Sequence, residues 1–171
     1  IEQRLSFQGV DQEDIKKAKT MKLAPKGSAS ITASWNLSPS GIKAILHAAT
    51  GSMTKSGKDY DPDLKSIELS IKNSILLAKT NQHSSIAVPF IGSGIFLSRI
   101  GVTKEELASA IIKTMNEEAK GIKVVFVAYG DEDFKLAKAA NSKIKDSKVS
   151  VVKGSITDYN AHKSSAIVNA A

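Results

Sequence analysis

The stretch Ser85-Ile86-Ala87-Val88-Pro89-Phe90-Ile91-Gly92-Ser93-Gly94-Ile95-Phe96 constrains the fold more than any other. An apolar run of strand length fits a strand covered on both faces, as in a parallel α/β sheet. The run ends in a glycine-bracketed serine. Gly92 and Gly94 remove side chains where the chain leaves the strand, so successive backbone N–H groups can point outward and approach a phosphate. A helix follows from Thr103, which forms a capping box with Glu106. Strand, glycine turn and helix in that order suit a ligand site at the carboxyl end of a sheet. A tight turn with no ligand is the competing reading, because a lone glycine loop is a weak signal.

The rest of the chain repeats this alternation. Residues 1–10 read as irregular, and Asp11 to Thr20 as a short lysine-rich helix. Ser28 to Ser34 alternates small apolar residues with Ser and Thr, as a half-buried strand does. Residues 36–41 read as a turn, Ile42 to Ala48 as a buried strand, and Gly51 to Asp61 as a polar loop. Pro62 sits where helices begin, and Leu64, Ile67, Ile71 and Ile75 mark one helical face to about Ala78. Leu107, Ala110 and Ile111 continue the helix after Thr103, which Gly121 ends. Lys123 to Ala128 is a second continuous apolar strand closed by Tyr129-Gly130. Asp131 is expected to cap a helix running to about Lys143. Val149 to Val152 and Ser165 to Val168 are the last strands. Strands alternating with helices imply a three-layer α/β/α sandwich with a mixed, largely parallel sheet. The carboxyl ends of its parallel strands share one edge, which gathers Gly92-Ser93-Gly94, Tyr129-Gly130 and Asn169-Ala170-Ala171.

Composition narrows the function classes. The 171 residues suit one domain, and a 42% hydrophobic content is ordinary for a globular chain. The absence of Cys rules out disulfides and thiolate chemistry and fits a reducing compartment; a cytoplasmic location is expected. No apolar run reaches the length of a membrane span, so no membrane partner is expected, and Ile1–Leu5 lacks the features of a signal peptide. A net charge of +7 favours polyanions, although the basic residues are nearly all lysines spread along solvated faces.

Several catalytic patterns fail on spacing. Thr50 to Ser56 carries a Lys-Ser pair, but Ala49 and Thr54 occupy the glycine positions of a phosphate loop. Gly92-Ser93-Gly94 is not a nucleophile elbow. His47, His83 and His162 lack metal-ligand spacing, and His47 reads as a satisfied strand-end histidine. No metal or cofactor is expected.

Five segments together resemble the macro domain family, the ADP-ribose-binding α/β/α modules. Val151-Val152-Lys153-Gly154-Ser155-Ile156-Thr157 is similar to the family's opening strand and its Gly-Asp-Ile-Thr motif. Ala166-Ile167-Val168-Asn169-Ala170-Ala171 resembles its Ile-Val-Asn-Ala-Ala-Asn strand end. Gly41 to Ala48 resembles its Ile-Ile-His-Ala strand, Pro89 to Phe96 its diphosphate loop, and Gly9-Val10-Asp11 the end of its glycine-rich loop. The resemblance covers nearly the whole chain but in a different order. Residues 148–171 correspond to the family's first two strands, which implies a single macro-like domain over 1–171, circularly permuted; cropping or a tandem array would give the same order. The sequence also departs from the family. Ser155 stands at the motif Asp, the chain stops before the second Asn, and Phe7-Gln8-Gly9 replaces several glycines.

The resemblance implies roles for these residues. Gly92, Ser93, Gly94 and Ile95 would cradle a diphosphate through backbone N–H groups, and Gly9 and Val10, at the end of the glycine-rich loop, would also bind ligand. Phe96 would pack on the distal ribose, or simply in the core. Tyr129 would wall the adenine, or lodge under a loop. Ser155 and the Ile156 N–H would meet the adenine edge. Asn169 would link strand end to loop. Asp11 aligns with an acid that hydrolytic members use near the distal ribose, and it also sits where a helix N-cap belongs. The leading expectation is a module that binds ADP-ribose, a related nucleotide diphosphate or ADP-ribosylated protein. The alternatives are an ADP-ribosyl hydrolase, a basic binder of poly(ADP-ribose) or nucleic acid, and a scaffold that has lost its ligand.

Overall fold

The computed structural model of the chain describes residues 4–21, 23–53 and 59–170. Residues 1–3, Lys22, the 54–58 part of the expected polar loop, and Ala171 lie outside the described residues. In chain order the elements are β1 (Arg4–Ser6), α1 (Gln12–Met21), β2 (Ala29–Ala33), a 3₁₀ turn (Trp35–Ser40), β3 (Ala44–Ala48), β4 (Gly51–Met53), β5 (Tyr60–Pro62), α2 (Leu64–Thr80), β6 (Ser85–Pro89), α3 (Leu97–Ile100), α4 (Lys104–Glu118), β7 (Lys123–Ala128), α5 (Asp131–Ser142), β8 (Val149–Lys153), α6 (Tyr159–His162) and β9 (Ala166–Ala170).

Seven of the strands form one sheet in the order β1-β2-β3-β9-β6-β7-β8. β2 alone among them runs opposite to the other six. The apolar runs are continuous because both faces of the sheet are covered. Along β6 and β7, Ile86, Val88, Val124 and Phe126 pack into a large core, whereas Ala87, Val125 and Val127 pack into a smaller one on the other side. The period-2 alternation is therefore present in direction but not in polarity. The large core takes Ile67, Ile71 and Ile75 from α2, Leu107 and Ile111 from α4, and Ala137 from α5. The smaller one is closed by Leu37 of the 3₁₀ turn and by Ile156 and Tyr159 near α6. The result is the expected α/β/α sandwich.

Local signals set the helix starts. Thr103 accepts the Glu106 N–H at 3.1 Å and the Glu106 carboxylate accepts the Thr103 N–H at 2.8 Å, which completes the capping box. Such a cap contributes about 1 kcal/mol. Other local expectations are corrected. Residues 4–6 are a strand, not irregular chain. The described parts of the polar loop pair as the β4–β5 hairpin. Pro62 closes β5, and Asp63 caps α2 by accepting the Ser66 N–H at 2.8 Å. The strand expected from Ile42 begins at Ala44, and residues 35–40 wind as a 3₁₀ turn. α4 ends at Glu118, before Gly121. Gly130 occupies the cap position of α5, and Asp131 is its first residue, paired instead with Lys153 at 2.7 Å.

Parallel pairing of β3, β9, β6, β7 and β8 brings their carboxyl ends to one edge. The register Ser6↔Ala29↔Ala48↔Ala170 places the end of β1 and the loop after it on that edge as well. Asn73 on α2 holds this loop. It is fully buried, donates Nδ2 to the carbonyls of Gln8 (3.0 Å) and Gly27 (2.8 Å), and accepts from the Ser6 hydroxyl (3.0 Å).

Candidate functional site

The centre of the edge is the loop from Phe90 to Phe96, between β6 and α3. Gly92 has φ +81°, the left-handed region that favours glycine. A Cβ there would lie 2.7 Å from Ile100 Cδ1 and 3.1 Å from Ile67 Cδ1, so the loop packs tightly on the helices beneath it. Gly94 is the opposite case, since a Cβ there meets nothing within 4 Å. The Ser93 hydroxyl donates to the Phe90 carbonyl at 2.9 Å, and its N–H turns to the same oxygen at 3.4 Å. Among the described residues, the N–H groups of Gly92, Gly94, Ile95 and Phe96 donate to no protein acceptor. A cluster of unspent donors on a glycine loop can serve an anion. Ile95, 87% exposed, stands beside them.

Two cavities flank this loop. One, of about 210 Å³, is lined by Phe90, Ser93, Tyr129, Asp133, Ser155 and Ile156 among others. The other, of about 270 Å³, includes Thr50, Tyr60, Ile67, Gly92, Phe96 and Ala170 in its lining. The loop therefore separates two compartments.

In the first cavity, Tyr129 at the end of β7 is 83% exposed, leaving its ring face available to an aromatic partner. The Ser155 hydroxyl lies 3.0 Å from Thr157 Oγ1 and accepts the Thr157 N–H at 3.3 Å. It is thus half-committed to its own turn. Asp158 is spent in capping α6, accepting the Asn160 N–H at 3.0 Å. The Ile156 carbonyl is 2.9 Å from His162 Nε2, and the Ser164 N–H donates to His162 Nδ1 at 3.1 Å. That pair of bonds fits a neutral imidazole, and burial holds the His162 pKa below its ordinary value. Asp133 in the first turn of α5 brings a carboxylate to this cavity, held 2.6 Å from Lys104 Nζ.

In the second cavity, Phe96 and Tyr60 meet edge to face, with ring centroids 5.7 Å apart. The Tyr60 hydroxyl is 2.9 Å from Thr50 Oγ1, and burial pushes its pKa up. Tyr60 also lines a separate cavity of about 380 Å³ beside α1.

The expected site residues divide accordingly. Gly92, Ser93, Phe96, Tyr129, Ser155 and Ile156 line the two cavities, with Gly94 and Ile95 on the loop between them. Gly9 and Val10 lie on the loop held by Asn73, where Val10 is buried, and line neither cavity. Asn169 is exposed in β9, one residue before the lining Ala170. The Asp11 carboxylate accepts the Glu13 N–H at 2.7 Å, as an N-cap does. His47 is satisfied by Thr32 Oγ1 at 2.9 Å. Sequence reasoning missed Thr50, Tyr60 and Asp133. Thr50 precedes, and Tyr60 belongs to, a hairpin too short to show periodicity. The third lies in the acidic first turn of α5, where the helix dipole alone accounts for a carboxylate.

The family model described as Macro domain matches residues 9–111, more than half of the chain. The chain belongs to the macro domain family. Macro domains in general bind ADP-ribose. Curated proteins give no match to it. The matched stretch of this macro domain contains the whole Phe90–Phe96 loop and the lining of the second cavity except Ala170, while Tyr129 and Ser155 lie beyond it. No helix among the described residues is long and apolar enough to cross a membrane.

Proposed function

We propose that this macro domain binds ADP-ribose, or a related ADP-ribosyl nucleotide diphosphate, across its carboxyl edge. The unspent N–H groups of Gly92, Gly94, Ile95 and Phe96, set between two cavities, carry the reading. The diphosphate would lie on these donors, where each hydrogen bond to a charged oxygen contributes about 1.5–3 kcal/mol. Adenine would enter the cavity of Tyr129, Ser155 and Ile156, and the second ribose that of Tyr60, Phe96 and Ala170. A neutral Ser155 in place of a carboxylate weakens the grip on the adenine amino group by roughly 1.5–3 kcal/mol, about ten- to a hundredfold.

Binding is favoured over hydrolysis because the Asp11 carboxylate is spent on its own helix. We also propose that the chain order is permuted. β9, last in the chain, lies in the middle of the sheet, β8 lies at its edge, and the family match ends before either.

Calorimetric titration with ADP-ribose, with AMP and ribose 5-phosphate as controls, tests the proposal. Micromolar binding that exceeds both controls is expected. No heat at millimolar ligand would overturn it. Release of ADP-ribose from modified protein, abolished by Asp11→Ala, would establish the hydrolase instead. Affinity for poly(ADP-ribose) or nucleic acid that falls steeply with salt, without pocket binding, would point to the basic surface.

A further inference from the structure

We propose that Arg99 is a positioning residue that shapes the end of the cleft beyond the diphosphate and so gives preference to ligands carrying a second sugar. The inference rests on the ADP-ribose reading above.

Arg99 lies on α3, three residues after Phe96, and its guanidinium makes three contacts. Nη2 is 2.6 Å from the Asp59 carboxylate, Nη1 donates to the Tyr60 carbonyl at 2.8 Å, and the group sits over the Phe96 ring at 5.7 Å. Phe96 meets Tyr60 edge to face, and the Tyr60 hydroxyl reaches Thr50. Arg99 thus joins the loop that carries the free N–H groups to the hairpin strand β5, and the residues it joins, Phe96 and Tyr60, line one cavity.

The charge chemistry separates this role from general stabilisation. Both partners of the ion pair are more than a third exposed, so the pair itself contributes little to folding. Its consequence is geometric. A planar fork can donate to two acceptors while presenting its face to a ring; an ammonium cannot. Arg4 is the chain's other arginine, so lysine would have been the ordinary choice for a surface cation here.

The test compares ADP-ribose with ADP, which keeps the adenosine and both phosphates but lacks the second sugar. Titrations of wild type, Arg99→Gln, Arg99→Lys and Asp59→Asn are run beside thermal melts. Arg99→Gln is expected to weaken ADP-ribose about tenfold and ADP less than about twofold, with the melting temperature moved by no more than about 2 °C. Arg99→Lys is expected to fall closer to Arg99→Gln than to wild type, and Asp59→Asn to shift the preference in the same direction. An unchanged ratio of the two affinities in Arg99→Gln, or equal loss for both ligands, would overturn the inference while leaving the ADP-ribose reading intact. Wild type that binds neither nucleotide would overturn the parent reading, and this inference with it.

Discussion

Replacing Gly94 by Glu tests whether the glycine loop faces a diphosphate. The position separates binding from folding, because a Cβ there touches nothing within 4 Å and φ is not positive. Gly94→Ala should therefore leave stability within about 1 kcal/mol, with any gain coming from a less flexible unfolded chain. Glu adds a carboxylate that can reach ~6 Å from a bound diphosphate. At an effective dielectric of ~20, one charge pair at that distance costs about 3 kcal/mol. Screening over a Debye length of ~8 Å roughly halves this. Two ligand charges restore the total to about 2–3 kcal/mol, a loss of roughly 30- to 150-fold in affinity. Calorimetry at low and high salt is the assay, with Gly94→Gln as the neutral control. The loss should shrink as salt rises and should be small in the control. Wild-type affinity in Gly94→Glu, with an unchanged melting temperature, would refute the placement of the diphosphate.

Three further outcomes are expected. Asn73→Ala removes three hydrogen bonds from a fully buried group and frees the Gln8 and Gly27 carbonyls; it should cost about 3 kcal/mol in chemical denaturation, whereas a loss below ~1 kcal/mol would deny Asn73 its anchoring role. Tyr129→Ala should weaken nucleotide binding by ~1–3 kcal/mol if the exposed ring stacks on a base, with no change in melting temperature. Burial lowers the pKa values of His47, His83 and His162, so the unfolded chain takes up protons first as pH falls. The stability they contribute is complete above pH ~6.5 and is lost below it. The melting temperature should therefore drop between pH ~7 and ~5.5, and a flat profile would contradict the sign.

The parallel sheet was legible because Ile86–Val88 and Val124–Val127 are apolar on both faces, a pattern that few folds other than a covered parallel sheet explain. The glycine loop was legible because Gly92 and Gly94 interrupt that pattern. What escaped was short or set from a distance. β1, β4 and β5 have three residues each, too few to display a period, and their pairing depends on partners elsewhere in the chain. α3 and α6 are single turns that exist because of what they pack against. Pro62 drew the expected helix start two residues before Leu64, because the proline closes β5 and Asp63 caps α2. The second cavity was invisible for a related reason. Tyr60 and Phe96 are 36 positions apart, and nothing local marks either as the partner of the other.

The most direct test follows backbone amide resonances while ADP-ribose is added. The signals of Gly92, Gly94, Ile95 and Phe96 should move most and downfield, as N–H groups without protein acceptors gain phosphate oxygens. Movement confined to surface lysine segments, with these four amides unchanged at saturating ligand, would contradict the account.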